Sequence, residues 1–294
     1  MQQRIAAALG ALPGRAEEVA PLVLITTSGD RIQDRRLLEA GGKGLFVKEI
    51  EEALLGGRID CAVHSMKDVP AELPPGLVIG AIPEREDPRD ALVSRGGVLF
   101  DDFPAGARLG TASLRRQAQA LHRRPDLRIE MLRGNVDTRL AKLEAGEFDA
   151  IILAAAGLRR LGLEERITEL LDPAFAPPAP GQGALAIEIR APDMDAAWLQ
   201  ALRHAPTAIA VAAERGALEA LEGSCRTAIG AHARLMGGRL ELIVEALSPD
   251  GAERFRQEEG LDLTGLDDQA AARDLGLRLG ADIRAAAGDR IFFG

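Results

Sequence analysis

The 294-residue sequence contains no tyrosine, one tryptophan (Trp198), two cysteines (Cys61 and Cys225) and four histidines. Two cysteines exclude a disulfide framework and Cys-rich zinc modules, and they fit a reducing, cytoplasmic setting. His64, His122, His204 and His232 stand in no metal-ligand spacing with one another or with cysteine, so no metal is expected. No run approaches the roughly 18 apolar residues of a membrane span. Aromatics at 3% leave the cores to Ala, Leu, Val and Ile. A net charge of −9 argues against generic binding to nucleic acid or anionic membrane.

What is present is globular. Hydrophobic residues make up 47% and charged residues 28%, and the length exceeds what one core usually supports, so two or three domains are expected. Ile5, Leu9 and Leu12 predict an opening helix that stops at Pro13-Gly14. Short β-rich runs then alternate with helical patterns. The strand candidates are Leu22 to Thr27, Ile59 to His64, Leu77 to Ile82, Leu109 to Thr111, Leu127 to Leu132 and Asp149 to Ala154. Between them, Val47 to Leu55, Leu114 to His122, Val136 to Ala145 and Leu158 to Leu161 read as helices. This alternation predicts α/β units around largely parallel sheets. The Pro-rich stretches Pro83 to Arg89 and Pro173 to Gly183 read as boundaries. Beyond them, Ala184 to Ile189 is a strand pattern, and Thr207 is placed to cap a long helix that stops at Gly223. Gly237-Gly238 predicts a hairpin between Ile229 to Arg234 and Arg239 to Leu247, and Asp267 to Leu279 a helix, which together make a small α+β domain.

Two common phosphate motifs fail. Gly41-Gly42-Lys43-Gly44 has Leu37 where a phosphate loop needs its first glycine, and Gly181-Gln182-Gly183 follows a Pro-rich loop where a dinucleotide fingerprint needs a strand. Charge is more informative. Between Arg108 and Arg139 stand eight arginines and three acids, a local +5. For Arg123 and Arg124 a solvated helix face suffices. Arg115 and Arg116 begin a helix, where cations oppose the helix dipole unless an anion compensates, and Thr111 and Ser113 add hydroxyls beside them. No aromatic lies between Phe103 and Phe148, so base stacking is missing and carboxylate binding is favoured over nucleic acid. A second constellation, His64-Ser65-Met66-Lys67-Asp68-Val69-Pro70, follows an apolar strand, at the strand end where α/β ligands sit. Lys67 is one of only four lysines against thirty-two arginines. Cys61 reads as a small buried hydrophobe; Cys225 stands in a loop beside Arg226, which favours thiolate.

These segments together resemble the hydroxymethylbilane synthase (porphobilinogen deaminase) family. The resemblance rests on GGKGLFVKE at 41–49, HSMKDVP at 64–70, EREDPRDALVS at 84–94, GTASLRRQ at 110–117 and RPDL at 124–127. LRGNVDTR at 132–139, DAIILAAAGLRRLGL at 149–163, PGQGALAIE at 180–188 and LEGSC at 221–225 continue it in order. It implies stepwise joining of four porphobilinogen molecules with loss of ammonia, on a dipyrromethane cofactor held by a thioether from Cys225. It implies that Asp68 protonates the leaving amine, stabilises the cationic azafulvene and takes up the pyrrole proton. Lys67, Ser113, Arg115, Arg116 and Arg133 are then expected to hold cofactor carboxylates, and Lys43, Ser65, Arg139, Arg160 and Gln182 those of the substrate. The implied fold is α/β: two domains resembling type II periplasmic binding proteins, at 1–83 with 184–202 and at 88–177, plus a small α+β domain at 205–294 that carries the cysteine. A cytoplasmic monomer is expected. Family members open with a strand bearing Arg-x-Ser, whereas this chain begins almost at the first helix. The two strands that would flank that strand are therefore expected to lack a partner, and the natural start to lie upstream. An amino-terminally truncated, weakly active or inactive synthase, and a small-anion binding protein of the same fold, are the alternatives.

Overall fold

The computed structural model describes residues 1–28, 47–70, 72–222 and 227–292. The chain divides into two compact units, Met1–Arg85 with Ala184–Ala208, and Glu86–Gly183 with Ile209–Gly294.

The first unit is built on a sheet of β1 (Ala62–Ser65), β2 (Leu77–Ala81) and β8 (Leu185–Arg190), with β8 in the centre and both pairings antiparallel. From Ala186 to Ile189 every residue of β8 is buried, as expected of a central strand covered on both faces. One cover contains Ile5, Leu199 and Leu202 packed with Ile187 and Ile189, and the other joins Leu54, from the Lys48–Leu55 helix, to Ala62 and Leu77. The opening helix runs Gln2–Ala8 and buries Ile5 and Ala6, while Leu9 and Leu12 lie exposed beyond it. The expected strand Leu22 to Thr27 does not form. Leu22, Val23 and Leu24 are 57–93% exposed, and β1 pairs with β8 alone among the described residues. A strand is stable only when a neighbour takes its backbone groups, and among the described residues no strand pairs with residues 22–26.

The second unit holds two sheets. In the first, β3 (Asp90–Ser94), β4 (Arg108–Gly110), β5 (Arg128–Glu130), β6 (Ala150–Ala154) and β7 (Glu169–Leu170) lie in the order β5-β4-β6-β3-β7. β4 is parallel to β5 and β6, whereas β3 is antiparallel to β6 and β7. The expectation of largely parallel sheets is thus corrected in both units: strands at which the chain crosses between units enter against the direction of their neighbours. β3 and β7 escaped the pattern reading because β3 is apolar for only three residues after a charged stretch and β7 has two residues.

The other sheet is a meander of β9 (Ala228–Met236), β10 (Arg239–Leu247) and β11 (Arg254–Asp262). Gly237 and Gly238 at φ 57° and 83° make the two-residue turn of the expected hairpin. Leu275, Leu279 and Ile283 of the helix Asp268–Ala287 pack on Leu240, Leu242 and Val244. The helix expected to begin at Thr207 starts earlier, at Ala205. Instead of capping it, the Thr207 hydroxyl accepts the Arg85 N–H at 3.1 Å and meets His204 Nδ1 at 2.7 Å.

The meander sits directly on the helix Leu114–Arg123. Ala118 clusters with Ala228 and Leu247, and His122 Nδ1 lies 2.8 Å from the Gly251 carbonyl. A side chain at Gly251 would start 2.4 Å from the Ala118 carbonyl oxygen, and φ there is +74°. Only glycine permits that approach.

Candidate active site

In the first unit, β1 ends at half-buried Ser65, and one tight turn, Met66–Asp68, follows it. The buried Met66 anchors this turn, its N–H reaching the Ala184 carbonyl at 3.0 Å, and Val69 closes it onto Met66. Lys67 and Asp68 are thereby presented at the carboxyl end of a strand, both with exposed side chains. Protein nevertheless crowds Asp68 closely enough that burial raises its carboxyl above the usual range, with Lys67 and then His64 pulling the other way.

In the second unit the arginine helix Leu114–Arg123 is capped by Ser113, whose hydroxyl accepts the Arg116 N–H at 3.4 Å, while Thr111 Oγ1 accepts the Ser113 N–H at 3.1 Å. The anion that two arginines at a helix start require is internal. Asp90, fully buried at the start of β3, takes Arg115 Nη1 on Oδ2 at 2.7 Å and Arg116 Nη2 on Oδ1 at 2.7 Å. Burial works against its charge, but the two guanidiniums outweigh it and hold the Asp90 carboxyl well below the ordinary range. Gln182, 1% exposed, donates to Asp90 Oδ1 at 2.9 Å and to the Pro88 carbonyl at 2.7 Å. The sequence placed Arg115, Arg116 and Gln182 among ligand-holding groups; in the structure all three are buried and hydrogen-bonded to Asp90. The loop bearing Gln182 is drawn tight: a Cβ on Gly183 would lie 2.5 Å from the Glu86 carbonyl oxygen, and φ there is +84°.

The network extends into the meander. Arg115 Nη1 also donates to Gln119 Oε1 at 2.9 Å, and Gln119 Nε2 donates to Glu245 Oε1 on β10 at 3.0 Å. Glu214, fully buried, fixes the Pro-Gly loop by accepting the Gly181 N–H at 2.7 Å and the Ala233 N–H at 2.9 Å. Asp90, Gln119, Glu214 and Glu245 went unnoticed in the sequence. Asp90 alone left a signal there, an acid immediately before the apolar run Ala91-Leu92-Val93.

Arg139 and Arg133 are half-buried near Arg116. Burial first, then the charges of Arg116 and Arg133, lower the Arg139 guanidinium to about 10. Arg139 Nε donates to the Gly134 carbonyl at 2.7 Å. Arg160 ends the helix Ala155–Arg160 on an exposed position. Lys43 and Cys225 lie outside the described residues.

Fold and site together define an α/β enzyme that gathers guanidinium groups in one unit and presents a Lys-Asp turn at a strand end in the other. Residues 2–197 match the model for "Porphobilinogen deaminase, dipyromethane cofactor binding domain" and residues 208–285 that for "Porphobilinogen deaminase, C-terminal domain". The chain belongs to the porphobilinogen deaminase family. It is similar to the porphobilinogen deaminases of Caulobacter vibrioides strain NA1000 / CB15N (69% identity) and Phenylobacterium zucineum strain HLK1 (68%), each over 99% of this chain and 92% of the relative. That of Sorangium cellulosum strain So ce56 is 54% identical over 88% of this chain and 86% of its own length. The chain is accordingly a transferase of tetrapyrrole biosynthesis with dipyrromethane as cofactor, and its fold is mixed α/β. The small-anion binding protein is not favoured.

Proposed function

We propose that Asp68 is the catalytic acid and base, that Cys225 carries the dipyrromethane by a thioether, and that the guanidinium cluster receives its carboxylates. Porphobilinogen is the substrate of the family. The observation that carries the reading is the packing of Arg116, Arg133 and Arg139 closely enough to depress Arg139. A concentration of one charge sign fits a ligand bearing acetates and propionates. When bound, the dipyrromethane would supply the free pyrrole carbon to which the first unit is joined. Asp68, whose carboxyl burial raises above the usual range, donates a proton to the leaving amine. As a carboxylate it then balances positive charge on the incoming carbon and takes up the pyrrole proton. Lys67, Ser113, Arg115, Arg116 and Arg133 serve the cofactor carboxylates, and Lys43, Ser65, Arg139, Arg160 and Gln182 those of the substrate. We read Arg115 and Gln182 as acting through Asp90. The domains are 1–83 with 184–202, 88–177 and 205–294, which fits the separate sheets. The enzyme works as a cytoplasmic monomer without nucleic acid or membrane; no described helix is long and apolar enough to cross a membrane.

Intact-protein mass before and after incubation with porphobilinogen tests this reading. A covalent adduct confined to Cys225, lost in Cys225→Ser, is expected, together with hydroxymethylbilane formation. An active protein with unmodified Cys225 would refute it.

A further inference from the structure

Gln119 and Glu245 make a buried link between the arginine helix and the C-terminal sheet, the one 3% and the other 1% exposed. The two sides of one amide face opposite partners: Gln119 Oε1 accepts from Arg115 Nη1 at 2.9 Å, and Gln119 Nε2 donates to Glu245 Oε1 at 3.0 Å. A guanidinium only donates and a carboxylate only accepts, so these partners fix which way the amide points. The Pro177 carbonyl accepts from both side chains, from Arg115 Nη1 at 3.0 Å and from Gln119 Nε2 at 2.9 Å.

The sheet is shaped for this link. Gly230 on β9 stands opposite Glu245 on β10. A Cβ on Gly230 would lie 2.6 Å from the Pro177 carbonyl oxygen and 3.1 Å from Gln119 Nε2, so the missing side chain is what admits both. From the other edge, Arg254 and Arg256 of β11 each approach Glu245 Oε2 at 3.5 Å. One carboxylate oxygen is thus turned to these cations and the other to Gln119.

At its far end the link reaches the arginine cluster. Arg115 Nη1 takes Asp90 Oδ2 and leaves Oδ1 to Arg116 Nη2, both at 2.7 Å. Releasing Arg115 would free Oδ2 for Arg116, which would shift that guanidinium and neutralise more of its charge.

We propose that Gln119 and Glu245 are positioning residues: by holding Arg115 on one oxygen of Asp90 they keep Arg116 on the other, its guanidinium fixed and its charge only partly met, ready for a cofactor carboxylate. The C-terminal sheet thereby sets the geometry of the arginine cluster through a single amide. This rests on the reading of Arg116 as a group that serves cofactor carboxylates.

The test is steady-state kinetics of dipyrromethane-loaded protein, with loading checked by intact mass, for wild type, Gln119→Leu, Glu245→Leu, their double variant, Glu245→Gln and Arg116→Leu. In each Leu variant of the link, kcat falls about tenfold while KM stays within about twofold, because a misplaced cofactor carries its reacting carbon out of line whereas the substrate keeps its own contacts. Glu245→Gln retains an acceptor for Gln119 Nε2 and keeps kcat within about twofold of wild type. The double variant falls no further than the worse single, since both changes cut one link. Wild-type kcat in the loaded Leu variants, with only a lower melting temperature, would make the link merely structural and overturn the proposal; additive losses would do the same. If neither Leu variant loads, Gln119→Asn, one methylene too short to span both partners, decides by the same split of kcat from KM. Wild-type loading and turnover by Arg116→Leu would instead sink the reading of Arg116, and this inference with it.

Discussion

Asp90 Oδ1 accepts two hydrogen bonds from one guanidinium, Arg116 Nε at 3.1 Å and Arg116 Nη2 at 2.7 Å. Its other oxygen serves Arg115, so one buried carboxylate faces two buried cations. Glu245, reached through Gln119, is the second carboxylate that brings the enclosed charges toward balance, and it comes from the C-terminal sheet.

Removing Asp90 leaves two buried arginines without their main anion. Asp90→Asn is expected to lower stability by about 3 to 5 kcal/mol, the usual cost of breaking a buried pair from one side. Urea unfolding of wild type and variant, with similar m-values, measures it. A loss below about 1 kcal/mol would show that the arginines find another partner.

The same contact has a pH signature. Asp90 is held well below the value near 4 that it takes in the unfolded chain, so the unfolded state binds more protons at acid pH. Its stabilisation is complete above about pH 4 to 5 and is lost as pH falls toward the folded value. The stability gap between wild type and Asp90→Asn should therefore shrink steadily below pH 4. A gap independent of pH would contradict the assignment.

Arg139 shows the opposite balance. Its guanidinium is lowered on folding, by burial and by Arg116 and Arg133, so its charge opposes folding at neutral pH. Arg139→Gln is expected to leave thermal stability unchanged or to raise it modestly, while turnover of the loaded enzyme falls at least about tenfold through loss of one charged contact to the substrate. Melting temperature and kcat/KM together separate this outcome from a structural role, in which both would fall.

Asp68→Asn is expected to lower turnover by about 10² to 10⁴, the range for a positioned acid or base, with the dipyrromethane still attached. Stopped-time assays on loaded protein check it. Near-normal turnover would remove Asp68 from the chemistry.

Gly251→Ala places a methyl group 2.4 Å from the Ala118 carbonyl oxygen at a backbone φ of +74°. A loss of about 1 to 3 kcal/mol is expected from the combined strain. Unaltered denaturation would mean that the turn shifts freely away from the arginine helix.

Periodicity made the strands β4 to β6, the helix Leu114–Arg123 and the Gly237-Gly238 hairpin legible, because each depends on local pattern or turn chemistry. Leu22 to Thr27 reads as a strand just as clearly and is not one, since a strand also needs a neighbour, which local pattern does not report. The site divides in the same way. Asp68, Arg115 and Arg116 stand out by residue type and place in the chain. Asp90 meets Arg115 across 25 residues and Glu245 meets Gln119 across 126, separations that no local pattern reports.

The helix Leu114–Arg123 lies between two sheets contributed by distant parts of the chain, and Gly251 lets the second press against its backbone. During synthesis the arginines emerge more than a hundred residues before β10 brings Glu245. Among the described residues, Asp90 is the carboxylate hydrogen-bonded to both guanidiniums, and Gln119 meets Glu245 only once β10 has been made. The carboxyl-terminal third of the polypeptide thus acts as the lid that finishes the pocket, so the chain acquires its finished anion chemistry late in translation.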